Sequence, residues 1–243
     1  MGAYLGRLTS FDLAVGGTAA SPGMSPYIFS VSLSRARLEG MLDLAKVIPK
    51  QRAILSGFAR GDNGVLYACT MPDVDGEGGH LIEVRTKNAA IEVRDFGVPV
   101  PREGVFALAA DPSAGALCGI ASPSGSFFVY SLADRHTRIF SETLIAKRTL
   151  SFLHNYAVEA QDVLTRRLAV DRRGRVYGSM PINKIFRFDP GAAKISILPD
   201  ELPEVWGRRP LGRVDAWAMA PDGTLYGGNG ADGQLFRLDP ETG

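Results

Sequence analysis

One module recurs along this chain, and a repeat of fixed period constrains the fold more than any other feature. The module is a short apolar strand, an Asp/Gly turn, a strand carrying a tyrosine, a loop, and an apolar strand that ends near Asp-Pro. The clearest copies are residues 168–189 (LAVDRRGRVYGSMPINKIFRFD) and 218–239 (AMAPDGTLYGGNGADGQLFRLD). Each copy is too small to bury its own apolar face, so it must pack against neighbouring copies.

The second strand of the module gives the spacing of the repeat. A weaker first copy has its apolar anchor at Leu13, and the clearer anchors are Leu66, Leu117, Val176 and Leu225. A period of about fifty residues suits a four-stranded antiparallel sheet, and such sheets arranged around a channel form a β-propeller. The sequence therefore predicts an all-β fold, a single β-propeller domain over residues 1–243 with about five recognisable blades.

The two ends of the repeat leave the closure of the ring open. The first copy is predicted to begin at its second strand, and the last to stop after its third strand. The five copies form an incomplete or atypically closed ring, or they are part of a larger propeller of six to eight blades. Residues 34–47 have apolar positions at helical spacing, but the register of the repeat predicts a strand there.

Composition excludes several classes of partner. There are 27 basic and 26 acidic residues, a formal net charge of +1, which carries no electrostatic footprint for nucleic acid or an anionic membrane. The short basic clusters at residues 166–167, 172–173 and 208–209 are predicted to be solvated loop charges. No apolar run is long enough for a membrane helix.

The N-terminal sequence and the cysteines give information on the cellular compartment of the protein. Asp12 interrupts the first apolar stretch, so no secretory signal is expected and the predicted location is the cytoplasm, or outside the cell if the natural precursor is longer. Cys69 and Cys118 both lie in apolar strand-like runs. They are predicted to be buried free thiols rather than a disulfide or part of a zinc site.

The two C-terminal modules also carry a family resemblance. The stretches DGTLYGGNGADGQLFRLDPETG and GRVYGSMPINKIFRFDPGAAKI resemble blades of the broad superfamily of YVTN-type, quinoprotein-like and gluconolactonase-type propellers. WD-repeat signatures are absent. The resemblance implies the architecture, whereas a function taken from it is analogy, because unrelated activities share this scaffold.

The gluconolactonase-type propellers further imply a divalent metal held by Glu, Asn and Asp around the channel. The equivalent positions in this chain are Ile54, Val105, Thr165 and Asp215, of which only Asp215 can be a ligand. In those propellers Ala-Asp often follows the aromatic residue of the second strand, whereas this chain has Gly-Ser or Gly-Gly at that place. These departures argue against a lactonase metal site.

Two loop segments at the predicted channel mouth hold the candidate binding residues, since binding residues concentrate on such loops. The first segment contains Trp206, Arg213, Asp215 and Trp217. Its aromatic rings, arginines and carboxylate are suited to binding a sugar or a ligand that itself carries a carboxylate group. The alternative is that Trp217 packs between blades and Arg213 pairs with Asp215. The second cluster is His154, Asn155, Tyr156, Glu159 and Asp162, in which His154 with a nearby carboxylate is a candidate general acid or base, as Asp215 is in the first.

A further segment, DVDGEGG, is rich in carboxylates. Asp73, Asp75 and Glu77 are candidate ligands for calcium, but the segment lacks the twelve-residue layout of an EF-hand and suits a polar loop equally well. No cofactor is predicted, and a divalent metal is the alternative.

These features predict a binding or interaction propeller that presents loops to a small molecule, a glycan or a protein, with neither nucleic acid nor membrane as a partner. The alternative is a carbohydrate-active propeller enzyme, either a metal-assisted lactonase or a sugar lyase. Whether the protein is an enzyme stays open from the sequence.

Overall fold

The computed structural model is built almost entirely from β-strands. It describes residues 3–8, 12–87, 90–111, 113–143, 165–180, 183–202, 213–229 and 233–242. Across these ranges no helix is long and apolar enough to cross a lipid bilayer. Two short 3-10 helices, Leu44–Lys46 and Asp62–Gly64, interrupt the strands.

Five antiparallel sheets follow one another along the chain, each with its strands in consecutive order around a central axis. Sheet 1 contains β1 (Ala3–Leu8), β2 (Leu13–Thr18), β3 (Tyr27–Ser32) and β4 (Arg37–Asp43). Sheet 2 contains β6 (Phe58–Arg60), β7 (Leu66–Cys69), β9 (Leu81–Lys87) and β10 (Ala90–Asp95). Sheet 3 contains β11 (Gly104–Asp111), β12 (Ala116–Ser122), β13 (Ser126–Ser131) and β14 (His136–Thr143). Sheet 4 contains β15 (Ala169–Val170), β16 (Val176–Met180), β17 (Lys184–Asp189) and β18 (Lys194–Glu201). Sheet 5 contains β19 (Ala216–Met219), β20 (Leu225–Asn229) and β21 (Gln234–Leu238).

This arrangement confirms the predicted all-β propeller and the strand expected within residues 34–47, which is β4. It corrects the prediction that the first copy lacks its inner strand, because β1 pairs with β2. The sequence of β1, AYLGRL, lacks the long apolar run of GVFALAAD in β11, so the repeat pattern did not reveal it. A small accessory sheet of β5 (Gln51–Ala53) and β8 (Met71–Pro72) was also not predicted.

Successive sheets pack face to face, and we call the face that contacts the next sheet the forward face and the other the rear face. At the junction of sheets 4 and 5, Tyr177 and Ile185 on the forward face of sheet 4 pack with Leu225 and Leu238 on the rear face of sheet 5. Leu66, Leu117, Val176 and Leu225 lie on rear faces, as the repeat requires. Leu13 shares the forward face of sheet 1 with Val15, which contacts Leu66 in the core. The predicted anchor in the first copy is therefore one residue out of register, and such a shift reverses the face.

A glycine in the second strand lies opposite a phenylalanine in the third on four rear faces. These pairs are Gly16–Phe29, Gly119–Phe128, Gly178–Phe186 and Gly227–Phe236. A Cβ atom at Gly178 would lie 2.5 Å from Cε1 of Phe186. The glycine therefore makes room for the ring to lie across the strand, and the pair marks the rear face of a sheet.

The forward face of sheet 5 and the outer strand of sheet 1 carry exposed apolar residues. On the forward face of sheet 5, Tyr226 is 48% and Leu235 is 87% exposed. On the rear face of sheet 1, Leu38 is 53% and Met41 is 64% exposed. Both cysteines, by contrast, are buried and free, as predicted.

Candidate functional site

The innermost strands of sheets 2 to 5 surround a cavity of about 840 Å³. The lining of the cavity includes small side chains of these strands, among them Ala59, Ala109, Ala169, Ala216 and Ala218. These strands run in the same direction, so their first residues meet at one end of the cavity, which we call the mouth. A cavity of this volume suits a small molecule.

Arg166, Arg213 and Asp215 come together at the mouth, directly before strands β15 and β19. Nε of Arg213 lies 2.8 Å from Oδ1 of Asp215, and Nη2 donates to Oδ2 at 3.3 Å. Nε of Arg166 lies 3.9 Å from the same Oδ1. The guanidinium of Arg166 also stacks over the ring of Phe106, 5.2 Å from its centre. One carboxylate thus faces two guanidinium groups, which leaves a formal excess of positive charge.

Four buried polar atoms at this mouth make no hydrogen bond: Nε of Arg166, Nε of Arg213, Oδ1 of Asp215 and Nε1 of Trp217. The contact of Arg213 Nε with Oδ1 is an ion pair whose N–H is not aligned for a hydrogen bond. The ring of Trp217 packs edge-on against Phe236, with centres 5.3 Å apart. Buried polar atoms are normally satisfied, so this group needs a further partner. Nε of Arg213 and Oδ1 of Asp215 already lie 2.8 Å apart, so the donors that most need a partner are Nε of Arg166 and Nε1 of Trp217.

Arg167 reaches across the cavity from sheet 4 to sheet 2. Its Nη1 donates to the backbone oxygen of Ser56 at 3.0 Å. A Cβ at Gly57, where φ is +69°, would lie only 1.6 Å from that nitrogen. Gly57 therefore both adopts the left-handed backbone and leaves room for the guanidinium. Residues 166–167 were predicted to be solvated loop charges, which is wrong: both side chains are partly buried, and Arg167 lines the cavity.

The opposite end of the cavity is closed by a satisfied polar network. Asp171 accepts hydrogen bonds from Nε of Arg175 at 2.6 Å and from the Tyr177 hydroxyl at 3.1 Å. Nη2 of Arg175 donates to Glu241 at 2.9 Å, which ties the segment after β21 to sheet 4. Burial and the neighbouring Asp171 charge raise the pKa of Tyr177. Because its charges are paired, this network is structural.

The predicted site residues divide into two groups. Arg213, Asp215 and Trp217 are brought together at the mouth, where Arg213 pairs with Asp215 as the alternative interpretation expected. His154, Asn155, Tyr156 and Trp206 lie outside the described residues and stay predictions.

The three carboxylates of the acidic loop do not point towards a common site. Asp73 accepts hydrogen bonds from the backbone N–H groups of Gly23 and Val74, at 2.8 and 2.9 Å. These bonds lower the pKa of Asp73. Asp75 and Glu77 are exposed. Within the described ranges, no three His, Cys, Asp or Glu side chains are grouped as a metal site would need.

A histidine–carboxylate pair lies next to sheet 2. His80 is half-buried, and its Nδ1 lies 3.0 Å from both carboxylate oxygens of Asp95. The two residues are fifteen positions apart: His80 directly precedes β9, and Asp95 ends the neighbouring strand β10. Only the pairing of β9 with β10 brings them together, and no local pattern signals it.

Comparisons with known proteins establish the fold. No protein-family model and no curated protein matches the sequence. Among solved structures, the chain is similar to regucalcin from Agrobacterium tumefaciens, described as a calcium-binding protein, with 13% identity, a TM-score of 0.59, and coverage of 96% of this chain and 74% of that one. A luciferin-regenerating enzyme gives 15% identity, a TM-score of 0.57, and coverage of 98% and 72%. A protein from Lactobacillus plantarum gives 11% identity, a TM-score of 0.55, and coverage of 93% of this chain and 66% of that one.

At these identities the likeness shows the fold alone. The chain has the β-propeller architecture of these proteins, which confirms the predicted resemblance to gluconolactonase-like propellers at the level of the fold.

Proposed function

We propose that this protein is a binding propeller whose mouth takes a small hydroxylated carboxylic acid, such as a sugar acid. The unsatisfied polar atoms of Arg166, Arg213, Asp215 and Trp217 carry this proposal. A carboxylate supplies acceptors for the guanidinium and indole donors, and a hydroxyl group donates to the Asp215 oxygen.

Charge and shape support the same class of ligand. The two arginines against one carboxylate favour an anion, and Arg167, which lines the cavity, adds a third guanidinium. Alanines on the inner strands leave space for a molecule of sugar size. In this arrangement Trp217 contributes its N–H group rather than a stacking face, since its ring is engaged with Phe236.

Calorimetric titration with gluconate tests the proposal, and glucose, which lacks the carboxylate, is the neutral control. We expect gluconate to bind at least about tenfold more tightly than glucose, because each hydrogen bond to a charged group contributes about 1.5–3 kcal/mol. Arg213→Ala should weaken gluconate binding by a similar factor. Arg173→Ala is the control, because that side chain is 65% exposed and pairs with Glu241 at the opposite end. Equal affinities for gluconate and glucose, or an unaffected Arg213→Ala protein, would contradict the proposal.

The alternative of a metal-assisted lactonase is less well supported by the mouth as described. A divalent cation next to Asp215 would face the guanidinium groups of Arg166 and Arg213, which oppose it electrostatically. The residues of the described ranges therefore do not fit the metal that the fold resemblance implies. A calcium-dependent rise in melting temperature that disappears in Asp215→Asn would instead favour the enzyme.

A further inference from the structure

The end of the cavity opposite the mouth contains a further polar group, the carboxylate of Asp111, which ends β11 and lines the cavity. Asp111 is only 6% exposed. Its Oδ1 accepts hydrogen bonds from the backbone N–H and the hydroxyl group of Ser113, at 3.1 and 2.6 Å, and from the N–H of Ala114 at 3.3 Å. Within the described part of the chain, its Oδ2 accepts no hydrogen bond and the carboxylate forms no ion pair. Burial of a carboxylate is costly unless donors reach it.

Asp171 occupies the equivalent position in sheet 4 and shows what Asp111 lacks. Its neighbour on the second strand is Arg175, whose Nε donates to it at 2.6 Å. The corresponding neighbour of Asp111 is Ala116, which has no group to donate. Gly174 of the adjacent sheet leaves room at this carboxylate, since a Cβ there would lie 2.5 Å from Oδ2. Asp111 therefore has an acceptor position that the described residues of the protein do not use.

The distance from the mouth to Asp111 is longer than a six-carbon acid. Alignment of the glycine–phenylalanine pairs places Asp111 level with Ala220 of sheet 5, five positions after Asp215. This separation is about 16 Å along a strand, of which about 10 Å remain for the ligand after a hydrogen bond at each end. A six-carbon chain has five C–C bonds of about 1.5 Å and reaches less than about 8 Å. A monosaccharide acid held at the mouth therefore does not reach Asp111.

The volume and the polar groups of this end suit a second sugar unit. The cavity of about 840 Å³ is near the upper limit of small-molecule sites, which run from about 300 to 1,000 Å³. Arg60 and Arg172 line the same end as Asp111, so guanidinium groups and a carboxylate occur there together. Hydroxyl groups, which both donate and accept, suit such a mixture better than a second ionic group does.

We propose that the cavity binds an acidic disaccharide, whose second, uncharged sugar donates a hydroxyl hydrogen bond to Oδ2 of Asp111. The orientation of the ligand rests on the proposed function, which binds its carboxylate at the mouth. Asp111 then selects for the length of the ligand, whereas Arg166 and Trp217 select for its charge.

Calorimetric titration with lactobionate, in which galactose is attached to gluconate, tests this proposal against gluconate and lactose. We expect lactobionate to bind at least about tenfold more tightly than gluconate, because the second sugar adds a hydrogen bond to a charged group. Lactose should also bind at least about tenfold more weakly than lactobionate, because it lacks the carboxylate.

Asp111→Asn is the variant that isolates the second subsite, since asparagine retains an Oδ1 acceptor for Ser113. It should bind lactobionate and gluconate with equal affinity, and gluconate as tightly as the wild type does. Asp189→Asn is the matched control, because Asp189 accepts from the N–H of Gly191 in a comparable turn and does not line the cavity. It should keep the preference for lactobionate. Circular dichroism verifies the fold of both variants.

Equal affinities of the wild-type protein for lactobionate and gluconate would overturn this proposal, and that comparison does not depend on whether a variant folds. A preference for lactobionate that survives in Asp111→Asn would overturn it as well. Gluconate that binds no more tightly than glucose contradicts the proposed function instead. In that case, lactose binding that is lost in Asp111→Asn still supports the subsite at Asp111.

Discussion

The glycine–phenylalanine pairs make a sharp prediction about packing, and Gly178→Ala is the change that tests it. The new Cβ would lie 2.5 Å from Cε1 of Phe186 and 2.7 Å from Cδ2 of Leu168. Real Cβ atoms do not approach carbon so closely, so the ring or the strand must move. Phe186 is fully buried and its ring lies 5.9 Å from that of Phe127, which restricts the movement.

Overpacking of this kind costs about 1–3 kcal/mol, and the smaller loss of backbone entropy in alanine offsets about 0.5–1 kcal/mol. We therefore expect Gly178→Ala to lower the free energy of unfolding by about 1–2 kcal/mol. For a domain of this size, that corresponds to a fall in melting temperature of about 3–6 °C. Urea denaturation followed by circular dichroism, together with thermal melting, measures both quantities.

Gly228→Ala is the matched control, because its nearest neighbours would be Cδ2 of Leu235 at 3.6 Å and Cβ of Ala216 at 3.9 Å. It should be neutral or slightly stabilising. A second control combines Gly178→Ala with Phe186→Leu, and the two should be coupled by at least about 0.5 kcal/mol in a double-mutant cycle. If Gly178→Ala proves as stable as Gly228→Ala, or if the cycle is additive, the packing argument is refuted.

Three other predictions concern buried and capped groups. Asp171→Ala should lower the free energy of unfolding by about 3 kcal/mol in urea denaturation, because the buried Arg175 guanidinium loses its buried carboxylate partner and keeps only the more exposed Glu241; Asp222→Ala, in the exposed equivalent turn, should change little. Burial raises the pKa of Cys118 to about 12 and raises that of Cys69 as well, so Ellman's reagent should label neither thiol until urea unfolds the protein; rapid labelling of the native protein would contradict this. Hydrogen bonds from Ser34 and Ser32 lower the pKa of Asp12 from 3.8. These hydrogen bonds stabilise the folded protein above pH 3.8, and their contribution is lost as the pH falls through the lower pKa of the folded state. The urea midpoint should therefore fall less steeply on acidification in Asp12→Asn than in the wild type.

Much of the fold was predictable because each module repeats a local pattern that a strand and its turn require. The Asp/Gly turn, the tyrosine-bearing strand and the apolar strand ending near Asp-Pro located the second and third strands of sheets 4 and 5. Strand β1 was missed because an inner strand with a weak apolar pattern is defined by its pairing with β2 rather than by its own sequence.

The candidate site was only partly predictable. Arg213, Asp215 and Trp217 are close in sequence, so their meeting was foreseeable. Arg166 and Arg167 looked like loop charges, since nothing local shows that Arg166 lies over Phe106 or that Arg167 reaches Ser56, more than a hundred residues away. The juxtaposition of His80 and Asp95 likewise depends on strand register.

The serial packing of the sheets has a consequence for how the protein opens. Sheets 2, 3 and 4 are each buried between two neighbours, whereas the forward face of sheet 5 is exposed, and sheet 5 has three strands in the described part of the chain. Stability in such an array is a sum of nearest-neighbour terms, so in the 243-residue chain the amide hydrogens of sheet 5 should exchange through partial unfolding before those of sheets 2, 3 and 4 do. The Arg175–Glu241 pair acts against this at one end, because it fastens the segment after β21 to the sheet before it.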